Sequence, residues 1–381
     1  MKNSPLVLVM IFFACKSFYA QLPPVFEDVY HSRATSSPMV RTLLTPKRIV
    51  WQTDTTNVFI KNEETLLASG SNQVAVNDKN LFTLISTEDQ KPGILLDYGK
   101  ELYGGVKISM GMRKDKTPLK LRLRFGESVG EAMSEIGYED NATNEHSLRD
   151  FIIEVPWLGS IEVGKTGFRF LRIDVVEKKQ IAPIKSVEAV FVYRDIPYLG
   201  SFECSDERLN TIWLTGAYTV HLNMQDYLWD GIKRDRLVWV GDLHPEVMTV
   251  STVFGMNEVV TKSLDIARDQ YPLPQWMNGI SSYSMWWLLI HKEWYRHYGD
   301  LTYLKEQKVY MKQLLKQLET FIDKDNAEKL DGHRFLDWPT SEDPKATHAG
   351  LQAMMIMTFE AGAYLMKELN DQKFSKECME V

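Results

Sequence analysis

The chain has 381 residues, 44% of them hydrophobic and 25% charged, with a formal net charge of −7. This is ordinary globular composition, so a disordered, collagen-like or small disulfide-stapled protein is excluded. The length suffices for about two or three domains with sizeable cores. The acidic balance, without a basic stripe, argues against nucleic acid as a main partner. Of 10 tryptophans, 8 fall between Trp213 and Trp338. Indoles fill large cores, and they also stack on sugar faces.

The N-terminus has the three-part pattern of a secretory signal. A basic start, Met1-Lys2-Asn3, precedes an apolar run from Leu6 to Cys15 that is too short to span a bilayer. Cleavage is expected after Ala20, although Phe18 is large for its place. The alternative is lipidation of Cys15, which Phe12-Phe13-Ala14 suits poorly. The expected location is therefore exported, periplasmic or extracellular. No later run of 18 apolar residues suggests an integral membrane span. Cys204 and Cys378 are far apart and form neither a disulfide framework nor a metal site. The histidines lack ligand spacing, and no cofactor motif is present.

Residues 21–50 read as an extended lead-in. From 51 to 197 the pattern has period two. Leu119, Leu121, Leu123 and Phe125 alternate with Lys120, Arg122 and Arg124, and further runs contain Phe168, Phe170 and Ile173, then Ala189 to Tyr193. Turn signals at Gly104-Gly105, Lys114-Asp115, Gly159 and Gly164 separate them. Such short strands predict an antiparallel β-sandwich.

Residues 198–381 change to a period of 3.6. Ser205 is the expected cap of a first helix with the stripe Leu209, Ile212, Trp213, Gly216 and Val220. A second helix is predicted from Asp242 to about Arg268, and a third over 281–298. A fourth starts near Thr302, and a fifth, apolar nearly all round, runs from His348 to Leu369. A sixth begins at Gln372.

The segment most suited to chemistry is Asp230-Gly-Ile-Lys-Arg-Asp-Arg-Leu-Val-Trp-Val-Gly-Asp242, just before a helix start, with Glu246 one turn on. Its carboxylates can accept from sugar hydroxyls, its guanidinia donate to oxygens, and Trp239 offers a flat face. Like-charged neighbours can raise one carboxyl toward a proton-donor role. A surface salt-bridge ladder beside a core indole is the plainer alternative.

This segment resembles the signature of bacterial α-L-rhamnosidases of glycoside hydrolase family 78, Asp-Cys-Pro-x-Arg-Glu-x-Leu-Gly-Trp-x-Gly-Asp. Asp230, Arg234, Leu237, Trp239, Gly241 and Asp242 stand at matching positions. The flanks Leu96-Asp97-Tyr98-Gly99-Lys100, Thr166-Gly167-Phe168-Arg169-Phe170 and Ser201-Phe202-Glu203-Cys204-Ser205 agree with it, over about residues 80–381. The resemblance implies an exo-acting, inverting six-hairpin glycosidase acting on terminal α-L-rhamnosyl residues of rhamnose-containing glycans, without a cofactor. Inversion uses an acid and a base about 6.5–9.5 Å apart.

The family's acid, a Glu, corresponds to Asp235, whose side chain is about 1.5 Å shorter in reach; Glu246 is the alternative acid. Asp230, Arg234, Trp239 and Asp242 carry over as substrate-binding residues, and Trp338 of the Asp337-Trp338 pair as a platform. One or two of Trp276, Trp286, Trp287 and Trp294 are expected to face sugar. Glu342 and Asp343 read as a solvated cap before the fifth helix.

Two tensions follow. Counting up-and-down helices puts the loop at Trp338 at the opposite end from Asp235, so either one helix is misread or the loops are apart. The family's barrel is an (α/α)6 toroid of twelve helices, and residues 198–381 hold about half of it. The resemblance thus implies an incomplete toroid, a missing C-terminal half and no match for the general base. Such a chain would be weakly active or inactive alone, or a sugar-binding fragment.

Overall fold

The computed structural model describes residues 38–68, 76, 78–114, 117–137 and 144–381. The signal-like residues 1–20, Cys15 and most of the lead-in lie outside the described residues. Nine strands follow in order: β1 (Met39–Leu44), β2 (Arg48–Gln52), β3 (Ile60–Lys61), β4 (Phe82–Ile85), β5 (Gly93–Met110), β6 (Leu119–Gly126), β7 (Asp150–Val155), β8 (Gly159–Val175) and β9 (Ile181–Arg194). Every pairing among them is antiparallel. The sheet domain therefore starts earlier than position 51. Of the residues read as lead-in, 39–44 form β1 against β9 and 48–50 begin β2 against β5.

Long strands build two layers from one network. The first half of β5 (Gly93–Asp97) lies between β2 and the last half of β8, which continues to β6 and β7. The second half (Leu102–Met110) lies between the first half of β8 and β9, which continues to β4 and β1. The register shifts between Asp97 and Leu102, where the strand passes from one layer to the other. Period two then fills one core: Leu119, Leu121, Leu123 and Phe125 are fully buried with Ile94, Leu96, Phe168 and Ile173. Arg124, on the opposite face, is buried too, paired to Glu135 at 2.8 Å and Asp174 at 2.9 Å.

Gly104-Gly105 is not a turn. Both residues lie inside β5, at a register irregularity between Gly104 and Val106. Gly104 has φ +148, and a Cβ there would stand 1.8 Å from the Val190 carbonyl oxygen. The glycine lets β5 and β9 approach at the bend.

A short helix, α1 (Val129–Met133), sits in the sheet domain. Seven more follow: α2 (Glu207–Asn223), α3 (Val240–Thr249), α4 (Glu258–Gln270), α5 (Ser281–Tyr298), α6 (Leu301–Glu319), α7 (Pro344–Glu368) and α8 (Gln372–Glu380). Asp206, rather than Ser205, caps α2 by accepting from the Arg208 amide. Asp343 caps α7 through the amides of Lys345 and Ala346, as expected of a cap. The second predicted helix is two helices. After α3 the chain widens into a π segment, Val250–Phe254, and breaks at Gly255 (φ 79). Asn257 then caps α4. The apolar pattern runs through the break, so periodicity alone reads one helix.

The additional helix changes parity. α3, α5 and α7 pack side by side, with α4, α6 and α8 against them. The segments before α3, between α4 and α5, and between α6 and α7 consequently meet at one end. Asn278 donates to the Val238 carbonyl and accepts from the Val240 amide, both at 3.1 Å. Ile280 bridges His333, and Ser282 donates to the Phe335 carbonyl at 2.5 Å.

Two apolar faces stay exposed. Of the predicted α2 stripe only Val220 is buried and Trp213 half-buried, while Leu209, Gly216 and Ile212 (56%) are exposed. On α7, Met354, Met355 and Phe359 are buried, but Ile356 (54%) and Met357 are exposed, beside Met379 of α8. Among the described residues no helix is long and apolar enough to cross a membrane.

Gly104→Ala is expected to destabilise the sheet domain by about 1–3 kcal/mol, an overpacking cost. Thermal unfolding should show a melting temperature several degrees lower. A variant that melts with the wild type would contradict this close β5–β9 approach.

Candidate active site

The loop from Asp230 to Trp239 is held from two sides. Ile232 is buried in the sandwich core, although it lies far along the chain from those strands. Gly167 of β8 makes the room: a Cβ there would stand 2.7 Å from Ile232 Cγ1. Lys233 is buried beside it. Its Nζ meets Glu131 Oε1 and lies 3.8 Å from Glu127 Oε2. Burial pushes the nearby Glu101 carboxyl up to about 8, helped by the charges of Glu127 and Glu131 and opposed by Lys233. Arg236 donates to the Lys165 carbonyl. A charged loop segment thus leaves water with partners for its charge.

The recurring sandwich segments also have physical roles. Arg169 donates through Nε and Nη2 to Asp97 at 2.8 and 3.0 Å, and Arg48 adds 2.8 Å to the same carboxylate. Asp97 also accepts from the Gly99 amide at 2.7 Å. This network fixes β5 to β8 near the crossing that receives Ile232.

Within the loop, Asp230 closes a ring. Its amide donates to the Leu237 carbonyl at 3.1 Å, and the Leu237 amide donates back to Asp230 Oδ1 at 2.9 Å. Asp235 and Arg236 take left-handed backbone, φ 52 and 57. The Trp239 indole donates to Asp235 Oδ2 at 3.2 Å, and His146 Nδ1 meets Oδ1. Trp239 is half-buried, edge-on to Tyr283 at 6.2 Å. Gly241 lies under that ring, where a Cβ would come within 2.2 Å of Tyr283 Cε1.

The carboxylates crowd together. Burial pushes Asp230 up to about 6; its bond from Leu237 opposes this, and the charges of Asp235 and Asp242 add to it. Asp242, in the first turn of α3, is raised by desolvation, then by Asp337 and Asp235, although the residue is exposed. Burial also pushes the Tyr283 hydroxyl up to about 12, with Asp242, Asp230 and Asp337 contributing. Glu246 is 7% exposed. Its Oε1 accepts from Asn223 Nδ2 at 2.7 Å, and its Oε2 has no partner. Burial, reinforced by Asp242 and Asp230, pushes it up to about 8. It therefore carries a proton at neutral pH.

Asp337 reaches this cluster, so the loop at Trp338 lies at the same end as Asp235. The misread helix was the cause of the tension. Asp337 caps a short turn, and Trp338 is 79% exposed, edge-on to Phe335 at 5.1 Å. Arg234 is exposed in the loop. Trp276, Trp287 and Trp294 are buried core residues, so they do not face a ligand. Trp286 is half-buried beside His244 at 4.9 Å. Sequence reasoning missed His146, Lys233, Asn278 and Tyr283 as members of the site, and named Asp337 only as the neighbour of Trp338. Only Asn278-Gly279 carries a local signal, a turn dipeptide. Among the described residues no cluster has the makings of a metal site. Cys204 and Cys378 are both free, and burial pushes the Cys378 thiol up to about 11.

Residues 197–373 match the bacterial alpha-L-rhamnosidase 6 hairpin glycosidase domain. The helical region is thus similar to the six-hairpin glycosidase domain of bacterial α-L-rhamnosidases. An α-L-rhamnosidase of Formosa agariphila is 31% identical over 104 residues, which are 27% of this chain and 11% of that protein. The fold is similar to a rhamnosidase from Klebsiella oxytoca solved with rhamnose bound: TM-score 0.67 and 18% identity, covering 89% of this chain and 69% of the other. A family 78 rhamnosidase from a Bacillus species gives TM-score 0.64 and 20% identity, over 79% of this chain and 32% of the other. The chain thus spans about a tenth of the curated relative and about a third of the Bacillus protein.

The Glu246 carboxyl gives a pH test. Its folded value, about 8, lies above the ordinary 4.5. Between these the native state holds a proton that the unfolded chain has lost, so stability falls as pH rises through the window. Glu246→Gln keeps the bond from Asn223 and should flatten that slope, leaving the variant relatively more stable at pH 8 in urea titrations. An unchanged slope would place the titration elsewhere.

Proposed function

We propose that the chain is the sugar-binding and acid-bearing part of an exported α-L-rhamnosidase that hydrolyses terminal α-L-rhamnosyl residues with inversion. The observation that carries this is the approach of Asp230, Asp235, Asp242 and Asp337 to one another at the end that also holds Trp239 and the exposed Trp338. Carboxylates at such an end accept from vicinal hydroxyls, while an indole covers the apolar face of a deoxysugar. Asp230, Arg234 and Asp242 bind hydroxyls, and Trp239 and Trp338 wall the pocket. The family resemblance supplies the substrate class, and the signal-like start supports export to the periplasm or medium.

Asp235 is the general acid in this reading. Its side chain is partly exposed on the loop, whereas Glu246, on α3, is buried. As acid, Asp235 donates a proton to the glycosidic oxygen as the bond to the anomeric carbon breaks. A base on the other face takes a proton from the attacking water. The family's base has no match among residues 198–381. One observation favours Glu246 as the acid instead: it is the carboxyl held protonated at neutral pH, with Oε2 unpartnered.

The exposed faces of α2 and of α7 and α8 support the reading that further helices complete a toroid and bring the base. The full chain should therefore bind rhamnose in calorimetry but release little or none from an aryl α-L-rhamnoside. Asp242→Asn and Trp338→Ala should each weaken binding at least about tenfold. Turnover that disappears in Asp235→Asn would contradict the missing-half reading and place both carboxyls in this chain. Absence of rhamnose binding would contradict the sugar site itself.

A further inference from the structure

We infer that His146, contributed by the sandwich domain, is a positioning residue for Asp235, so that the site is assembled from both domains. This rests on the reading of Asp235 as the general acid.

The two residues grip each other twice. The Asp235 amide donates to the His146 carbonyl at 3.1 Å, and the imidazole Nδ1 meets Asp235 Oδ1. Both backbones are left-handed, φ 55 at His146 and φ 52 at Asp235. Non-glycine residues rarely take this conformation without surrounding structure to hold it. The Trp239 indole takes Oδ2, so each carboxylate oxygen of Asp235 has a fixed donor or partner.

The histidine loop is itself anchored. The Asn144 side chain accepts from the Arg149 and Asp150 amides at 3.2 and 3.0 Å and donates to the Asp150 carbonyl at 2.9 Å. Buried Arg149 donates to the carbonyls of Glu131 and Ser134. The clamp is thus tied to α1, which also carries Glu131, the partner of Lys233.

The imidazole is more than half exposed on its outer side, with Glu145 3.9 Å from Nε2. Glu145 on its own loop and Asp235 on the facing loop are the charged groups against the ring; Asp230 and Asp242 lie behind Asp235. A short acidic side chain in place of the longer glutamate has less reach. The geometry here compensates by fixing where that side chain starts and how it is turned. A displacement of about 1 Å at a proton donor costs on the order of a hundredfold in rate.

The test uses the full chain with nitrogen-15-labelled histidine, with His146→Asn assigning the signal. Above the imidazole titration a free histidine prefers the Nε2–H tautomer. At a pH where Asp235 is ionised, the His146 ring held against its carboxylate should show the Nδ1–H tautomer, and Asp235→Ala should release it. Added rhamnose should shift the ring signals. For whatever rate the chain gives on an aryl α-L-rhamnoside, His146→Ala should lower kcat about tenfold with KM little changed. His146→Asn, whose amide can donate from the same place, should recover most of that loss.

The free-ring tautomer in the wild type would overturn the proposal, as would a bound-sugar spectrum in which His146 does not respond. A kcat indifferent to His146→Ala would do the same. A held tautomer in a chain that neither binds rhamnose nor releases it would instead sink the rhamnosidase reading and leave the two-domain clamp standing.

Discussion

Ile232 is the pivot of the molecule. It belongs by sequence to a helical region and by burial to a sandwich, at 7% exposure in a core built from β5, β6, β8 and β9. A loop in which half the residues are charged has little apolar surface with which to order itself, and its left-handed positions oppose ordering. One buried aliphatic side chain, a buried lysine with carboxylate partners and the clamp at His146 supply the order from outside. The geometry of Asp230, Asp235 and Trp239 thus depends on a domain that contributes no residue to the recognisable motif.

The electrostatics follow from that assembly. The loop leads into α3, and the charges of four aspartates interact, from Asp230 and Asp235 through Asp242 to Asp337. Desolvation and the neighbouring carboxylates favour the protonated forms of Asp230, Asp242 and Glu246. A sugar's hydroxyls can donate to several of these oxygens at once. This cluster needs neutralising hydrogen-bond donors more than it needs a further charge.

Much of this was legible in the sequence. Alternation fixed the faces of β6, and the spacing of 230–242 singled out the loop that the structure makes central. The rest was hidden for physical reasons. The apolar pattern continues through the π segment at Val250–Phe254, so two helices read as one and placed Trp338 at the wrong end. The stripe of α2 reads as a core face, yet among the described residues nothing buries Leu209 and Ile212. Gly104 and Gly105 read as a turn because local sequence does not distinguish a bend inside a long strand from a reversal. His146 and Lys233 carry no signal because their partners lie on segments distant in sequence.

The central claim is that sandwich packing orders the loop from Asp230 to Trp239, and amide hydrogen exchange tests it most directly. In the wild type, residues 230–239 should exchange as slowly as the flanking helices. Ile232→Ala should speed exchange across that loop about ten- to a hundredfold while α5, α6 and α7 keep their protection. A loop that stays protected in the variant, or one already exchanging freely in the wild type, would contradict the account.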